Sequence, residues 1–278
     1  MTVAEAVAAS TDFLRRKGVP SPRVDAEHLV AKALDLTRLD LYLQYDRPLT
    51  EPETAACREL VRRRGTREPL TYILGEWGFR RLTLTVDPRA LIPRPETEVV
   101  VERCLALLDG VAAPAVLDVG TGTGAIALAI ADERPDATVT AIDVSEDALV
   151  LATENAERAG LAGRVTMLLH DLDDGLPGGP YDLVVSNPPY VDPEELESLE
   201  PEVREWEPKE ALVGRGMTEG VAEGARGALG SGGALVLEVA DGAAATVSEL
   251  LEVLGYRDVR ATPDLAGRDR VVEGRWTS

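Results

Sequence analysis

Apolar positions in the first 75 residues recur at helical spacing. Val3, Ala6, Val7, Phe13 and Leu14 share one face, and Ala26, Leu29, Val30, Ala33 and Leu34 repeat at i, i+3, i+4, i+7 and i+8. Polar residues mark the ends of these helices. Ser21-Pro22 offers an N-cap before a proline at the first helical position, Thr50 and Glu53 have capping-box spacing, and Gly65 can end that helix. The pattern then shortens. Phe79, Leu82, Leu84 and Val86 predict a hairpin-like connector over Gly78 to Val86. The run Leu91-Ile92-Pro93-Arg94-Pro95-Glu96-Thr97-Glu98 follows, a loop stiffened by two prolines whose glutamates open a helix at its positive end.

From Ala115 the pattern changes to strands alternating with helices, the mark of an α/β fold with a mostly parallel sheet. The predicted strands are Val116 to Val119, Val139 to Ile142, Val165 to Leu169, Leu183 to Val185 and Leu235 to Val239. Between and after them, helices are predicted over Ala125 to Asp132, Asp147 to Ala159, Thr218 to Leu229 and Ala243 to Leu254. Short runs near Arg257 to Ala261 and Arg270 to Val272 can finish the sheet.

Charge divides the chain in the same place. The net charge is −20, yet residues 1 to 75 hold 12 Lys and Arg against 11 Asp and Glu, so the deficit lies beyond them. Such acidity argues against a general binder of nucleic acid or anionic membrane. Arg62, Arg63, Arg64 and Arg67 form a basic cluster that reads either as a solvated helix end or as a docking patch. Cys57 and Cys104 are too few for a disulfide framework or a cysteine-rich zinc site, so no metal is expected and a reducing cytoplasm is the natural home. No signal-peptide pattern opens the chain and no apolar run approaches the ~20 residues of a membrane span.

Candidate chemistry sits at strand ends. Asp118-Val119-Gly120-Thr121-Gly122-Thr123-Gly124 is a strand running into a glycine turn and then a helix, and Asp143 ends the next strand, where a carboxylate can take both hydroxyls of a ribose. This is a nucleoside site. The same glycines fit the loose G-x-G-x-x-A dinucleotide pattern, so a nicotinamide or flavin enzyme stays open. Asp118, placed where it can meet a methionine ammonium, and Asp171, which can accept from an adenine amino group, favour S-adenosylmethionine; Asp171 reads equally as a turn residue.

The predicted strand Leu183 to Val185 ends in Ser186-Asn187-Pro188-Pro189-Tyr190. Two prolines cannot continue a central ladder, so the loop is rigid, and in open α/β sheets ligands bind at that edge. Asn187 offers a carbonyl oxygen, the backbone of Asn187 and Pro188 offers two more, and Tyr190 adds a flat ring. Such a loop is either an ordinary turn or a grip for a planar amide or amino group.

These motifs, with Arg67-Glu68-Pro69-Leu70, Tyr72-Ile73-Leu74-Gly75 and Asp264-Leu265-Ala266-Gly267-Arg268-Asp269-Arg270, make the chain resemble the release-factor N5-glutamine methyltransferases, the HemK/PrmC family, over nearly its whole length. The resemblance implies a helical substrate-recruiting domain over 1–75, a β-hairpin linker over 76–95, and a class I, Rossmann-like methyltransferase domain over 96–278 whose final strand is antiparallel. It implies S-adenosylmethionine as donor, S-adenosylhomocysteine as product, and as protein partner a class 1 release factor whose Gly-Gly-Gln glutamine is methylated by a cytoplasmic monomer. By position, Gly120, Thr121, Gly122, Thr123 and Gly124 cradle the donor beside Asp118, Asp143 holds its ribose, and Asp171 and Leu172 line the adenine. Asn187, Pro188, Pro189 and Tyr190 hold the glutamine, with Asn187 also beside the donor and with Asn187, Pro188 and Tyr190 taking the catalytic roles.

Three segments depart from the family pattern. Leu172 stands where an aromatic residue is common, Gly214-Arg215-Gly216-Met217-Thr218-Glu219-Gly220 replaces a Gly-x-Asp-Gly-Leu run, and Ala240 to Ala245 is altered after Glu238. Two other acceptors therefore stay in view: a small molecule or different protein, and the amino group of adenine or cytosine, which the same loop suits. A donor-binding protein without turnover is a further reading, against which the intact Asn187 to Tyr190 loop stands.

Overall fold

A computed structural model describes residues 1–277. The chain divides into a helical unit, Met1–Glu76 with Leu199–Trp206, and a larger unit, Trp77–Ser198 with the chain from Glu207 onward.

In the helical unit, α1 (Val3–Arg16), α2 (Pro22–Leu34), α3 (Arg38–Leu43), α4 (Glu51–Arg64) and α5 (Leu70–Leu74) bury Val3, Leu14, Ala26, Leu29, Val30 and Ile73. Thr2 with Glu5, Thr37 with Asp40, and Thr50 with Glu53 form reciprocal capping boxes, each satisfying two helix-end N–H groups. Ser21 occupies the N-cap position of α2, but its side chain makes no capping bond, which leaves Pro22 as the start signal. Gly65 ends α4 in right-handed geometry. A Cβ there would stand 2.5 Å from Phe13 Cε1, so its role is close approach.

The basic cluster is consumed internally. Arg62 pairs with Glu59, Arg63 with Glu68, and Arg64, only 5% exposed, donates to Asp25 (2.7 Å) and Glu202 (2.7 Å). Arg67 also donates to Glu202, so α9 (Pro201–Arg204) is held in the helical unit by two arginines. With every guanidinium paired to a carboxylate, the docking-patch reading loses its charge.

The larger unit opens with a hairpin whose second strand and turn it contains, β1 (Glu76–Phe79) and β2 (Leu82–Thr85), and continues with α6 (Thr97–Leu107), β3 (Ala115–Val119), α7 (Ala125–Glu133), β4 (Thr138–Asp143), α8 (Glu146–Arg158), β5 (Val165–Leu169) and β6 (Tyr181–Ser186). After the excursion through α9 come α10 (Met217–Ala228), β7 (Leu229–Glu238), α11 (Ala244–Leu254), β8 (Arg257–Pro263) and β9 (Asp269–Arg275). The sheet order is β5-β4-β3-β6-β7-β9-β8, parallel except for β9, which runs antiparallel to both neighbours. This is the α/β fold with a mostly parallel sheet that the alternating pattern predicts, in the Rossmann-like form that the resemblance implies.

Strand β7 begins six residues before the predicted Leu235. Its pairing with β6 slips between Tyr181 and Leu183, and the glycines of Leu229-Gly230-Ser231-Gly232-Gly233 fill the irregular stretch, where a Cβ on Gly233 would meet Tyr181 O at 2.9 Å. One face of the sheet buries Val116, Leu183, Val185, Ala234 and Val236 under α6 and α7; the other buries Leu117, Val184, Leu235 and Leu237 under α10 and α11. The chain leaves β3 toward β4 and β5, then returns to place β6 on the opposite side of β3. That reversal opens a crevice beyond the carboxyl ends of β3 and β6.

Candidate active site

Strand register puts Val119 beside Ser186, the last residues of β3 and β6. Ser186 Oγ donates to the Val119 carbonyl (2.7 Å), so the glycine turn and the Asn-Pro-Pro-Tyr loop spring from one fastened point.

A cavity of ≈ 630 Å³ lies there, a size typical of small-molecule sites. Of the residues predicted to hold a donor, Gly120, Thr121, Gly122, Thr123, Asp143, Asp171, Leu172 and Asn187 line it. Pro188 and Pro189 line it on the acceptor side. Three predicted residues do not: Asp118 is buried beneath the turn, Gly124 lies at the start of α7, and Tyr190, 39% exposed, sits beyond Pro189.

The turn is built around backbone shapes that suit glycine. Gly120 has φ 73° and a Cβ there would meet nothing within 4 Å, while at Gly124 (φ 81°) it would press on Leu128 and Ala152 at 3.1 and 3.2 Å. The first glycine leaves open space and the last permits close packing of α7. Asp118 Oδ2 accepts the Thr121 hydroxyl (2.6 Å) and the Ala127 N–H (3.2 Å), tying the turn to the first helical residues. Its Oδ1 is buried without a partner, and burial pushes the carboxyl up to about 7. Asp143 Oδ2 accepts the Gly122 N–H (2.8 Å) and Oδ1 accepts the Ser145 N–H (3.0 Å), which fixes the carboxylate and leaves each oxygen a further lone pair.

These features fit S-adenosylmethionine. The glycine turn gives open room for a close-lying ligand, Asp143 can take vicinal hydroxyls, and Ile142, Val144, Leu172 and Val221 offer apolar surface to a purine. Asp143 gives a cationic group an acidic wall, while Asp118 only braces the turn beneath it.

Sequence reasoning missed several walls. Ala90 to Arg94 and Pro208, Glu210 and Ala211 also line the cavity, and Glu207, 5% exposed, joins the two segments: Oε2 accepts the Ile92 N–H (3.0 Å) and Oε1 an Arg94 N–H (2.5 Å). The stiff Ile-Pro-Arg-Pro loop was a signal for one half of this joint; nothing local marked Glu207. The altered segment near Gly214 packs on the acceptor loop. Val191 N–H donates to Leu212 O (2.9 Å), and a Cβ on Gly214 would stand 2.5 Å from Pro189 O. Leu172 lies against α10, where a Cβ on Gly220 would meet it at 3.1 Å.

Comparison with known proteins agrees along the whole length. Residues 5–75 match the PrmC N-terminal domain and residues 99–200 match the Methyltransferase small domain. The release factor glutamine methyltransferase of Geobacter sulfurreducens is 44% identical over 95% of this chain and 93% of its own. That of Rhodopirellula baltica is 41% identical over 98% and 95%. A methyltransferase structure from Pyrococcus furiosus, 20% identical, superposes with a TM-score of 0.51 over 71% of this chain and 90% of its own, a likeness of fold.

Proposed function

Because the chain belongs to the family of release factor glutamine methyltransferases, we propose that it methylates the side-chain amide nitrogen of the glutamine in the Gly-Gly-Gln motif of class 1 peptide chain release factors. The observation that supports this most is the fastening of the glycine turn to the Asn-Pro-Pro-Tyr loop through Ser186 and Val119, because transfer needs a donor cradle and an amide grip on one cavity. When bound, S-adenosylmethionine supplies an electrophilic methyl group on a sulfonium sulfur. Gly120 to Thr123 hold it along the turn, Asp143 takes its ribose hydroxyls, and Asp171 and Leu172 border its adenine. Asp118 braces the turn from beneath, through the Thr121 hydroxyl and the Ala127 N–H.

An amide nitrogen is a weak nucleophile because its lone pair is delocalised, so orientation gives most of the gain. Asn187 Oδ1 and the Pro188 carbonyl accept its two N–H hydrogens, aiming the nitrogen and stabilising the positive charge that grows on it. Pro188 and Pro189 keep those carbonyls from swinging, and Tyr190 packs against the amide plane. Residues 1–75 recruit the release factor, the 76–95 segment links, and the enzyme acts as a cytoplasmic monomer. Among the described residues no helix is long and apolar enough to cross a membrane.

The nucleic-acid alternative drew on the basic cluster, whose four arginines are spent on carboxylates. A methyl-labelled donor offered with a release factor, its Gln-to-Ala form, nucleic acid and a cell extract tests the proposal. Label on the intact release factor alone is expected. Label on nucleic acid, or on extract components with none on the release factor, would overturn it.

A further inference from the structure

Glu238 ends β7 beside the acceptor loop. The β6–β7 register pairs Ser186 with Leu237, so Glu238 and Asn187 leave adjacent strands at the same level. The side chain is 2% exposed and lies on the α6 face of the sheet, where its Oε2 accepts the Thr97 hydroxyl (2.6 Å). Thr97 itself lines the cavity with Asn187 to Pro189. Among the described residues no Lys or Arg forms an ion pair with Glu238. An unpaired buried carboxyl is costly, and such groups concentrate where proton chemistry is done.

We propose that Thr97 and Glu238 form a proton exit for the acceptor amide, with Thr97 receiving the proton that methylation releases and Glu238 storing it. This rests on the reading of the cavity as an amide-methylating site. As the new N–C bond forms and the S–C bond breaks, the sulfur keeps the S–C pair. The amide nitrogen then gives up one N–H proton and retains that bonding pair. The proton adds to Thr97 Oγ while the Thr97 hydroxyl proton passes to Glu238 Oε2, so the threonine ends neutral and the glutamate protonated. Asn187 Oδ1 and the Pro188 carbonyl can orient the N–H groups but are far too weakly basic to keep a proton.

Burial pushes the Glu238 carboxyl up to about 7, with the Thr97 bond opposing that rise. The surrounding charges act in opposite directions: Glu96 at the start of α6 raises it, whereas Arg270 on β9 and Arg94 on the loop lower it. Tyr190 faces it from the acceptor loop, and further along, Arg103 of α6 and Glu273 of β9 pair with each other (2.7 Å). A base with that affinity accepts a proton at neutral pH and returns it to water between turnovers.

Two measurements test this. In the ligand-free chain, infrared difference spectra assigned by Glu238→Gln should show this carboxyl titrating near neutral pH, and Thr97→Val should move the titration upward. Titration in the ordinary carboxylate range would overturn the proposal. With labelled donor and release factor, Glu238→Gln and Thr97→Val should each lower kcat about 10²-fold at an unchanged donor KM and remove a rise of kcat with pH through neutrality, with Thr97→Ser restoring both. Wild-type transfer with unaffected variants overturns the proton exit alone; no transfer by wild type to the release factor overturns the amide reading and this inference with it.

Discussion

Replacing Asp118 with asparagine should stabilise the chain, and more so as pH rises. In the folded protein both accepted bonds, from the Thr121 hydroxyl and the Ala127 N–H, go to Oδ2, while Oδ1 is buried and unpartnered. An asparagine with its oxygen in the Oδ2 position keeps both bonds. What it removes is ionisation in a dry site. Burial lifts the Asp118 carboxyl from 3.8 to about 7, so folding favours its protonated form. Stability from that preference is complete below the unfolded pKa and is lost as pH rises through the folded one.

One pKa unit corresponds to ~1.4 kcal/mol, so raising the pH from 5 to 8 costs the wild type about 3 kcal/mol at this one group. The substituted amide does not titrate, and groups shared by both proteins cancel in the difference. The gap in unfolding free energy between Asp118→Asn and wild type should therefore widen by about 3 kcal/mol over that range, or roughly 6–12 °C in Tm for a domain of this size. Urea unfolding without donor, at pH 5, 6, 7 and 8, measures it. A gap that stays constant would mean that Asp118 is ionised throughout and would refute the argument from burial.

Other substitutions separate the roles assigned above. Asn187→Ala should cut methyl transfer by about 10²-fold or more while calorimetry finds donor affinity nearly unchanged; an equal loss of donor affinity would contradict the division of labour. Gly214→Ala places a Cβ 2.5 Å from Pro189 O, and overpacking of ~1–3 kcal/mol at the acceptor loop should lower kcat about tenfold with little change in donor KM. Arg64→Ala leaves the buried Asp25 without its partner and Glu202 with Arg67 alone, and should destabilise the helical unit by roughly 3–5 kcal/mol in urea unfolding; a loss below ~1 kcal/mol would show that water readily replaces the guanidinium.

How far a sequence discloses its site depends on how far apart the interacting residues lie. The glycine turn, Asp143 and Asn187 to Pro189 were legible because each is a local device: a turn needing positive φ, a carboxylate at a strand end, a proline pair that stops a ladder. Their convergence followed from the alternating pattern, since a parallel α/β sheet gathers the carboxyl ends of its strands on one edge. The misplacements are equally physical. Asp118 was expected at the ligand because it precedes the turn, but the last buried positions of β3 turn its carboxyl under α7, where it caps the Thr121 and Ala127 groups. Contacts that cross the chain left no periodic trace: Glu207 lies 115 positions from Ile92, and Glu238 lies 141 from Thr97. Glu207 stands among solvated acids and Glu238 closes an apolar strand, and only the fold shows that both are buried, against the segment from Ile92 to Thr97. That loop's two prolines thus have a second consequence: a segment with few conformations loses little entropy when two buried carboxylates fix its ends, so both walls of the cavity are set before any ligand arrives.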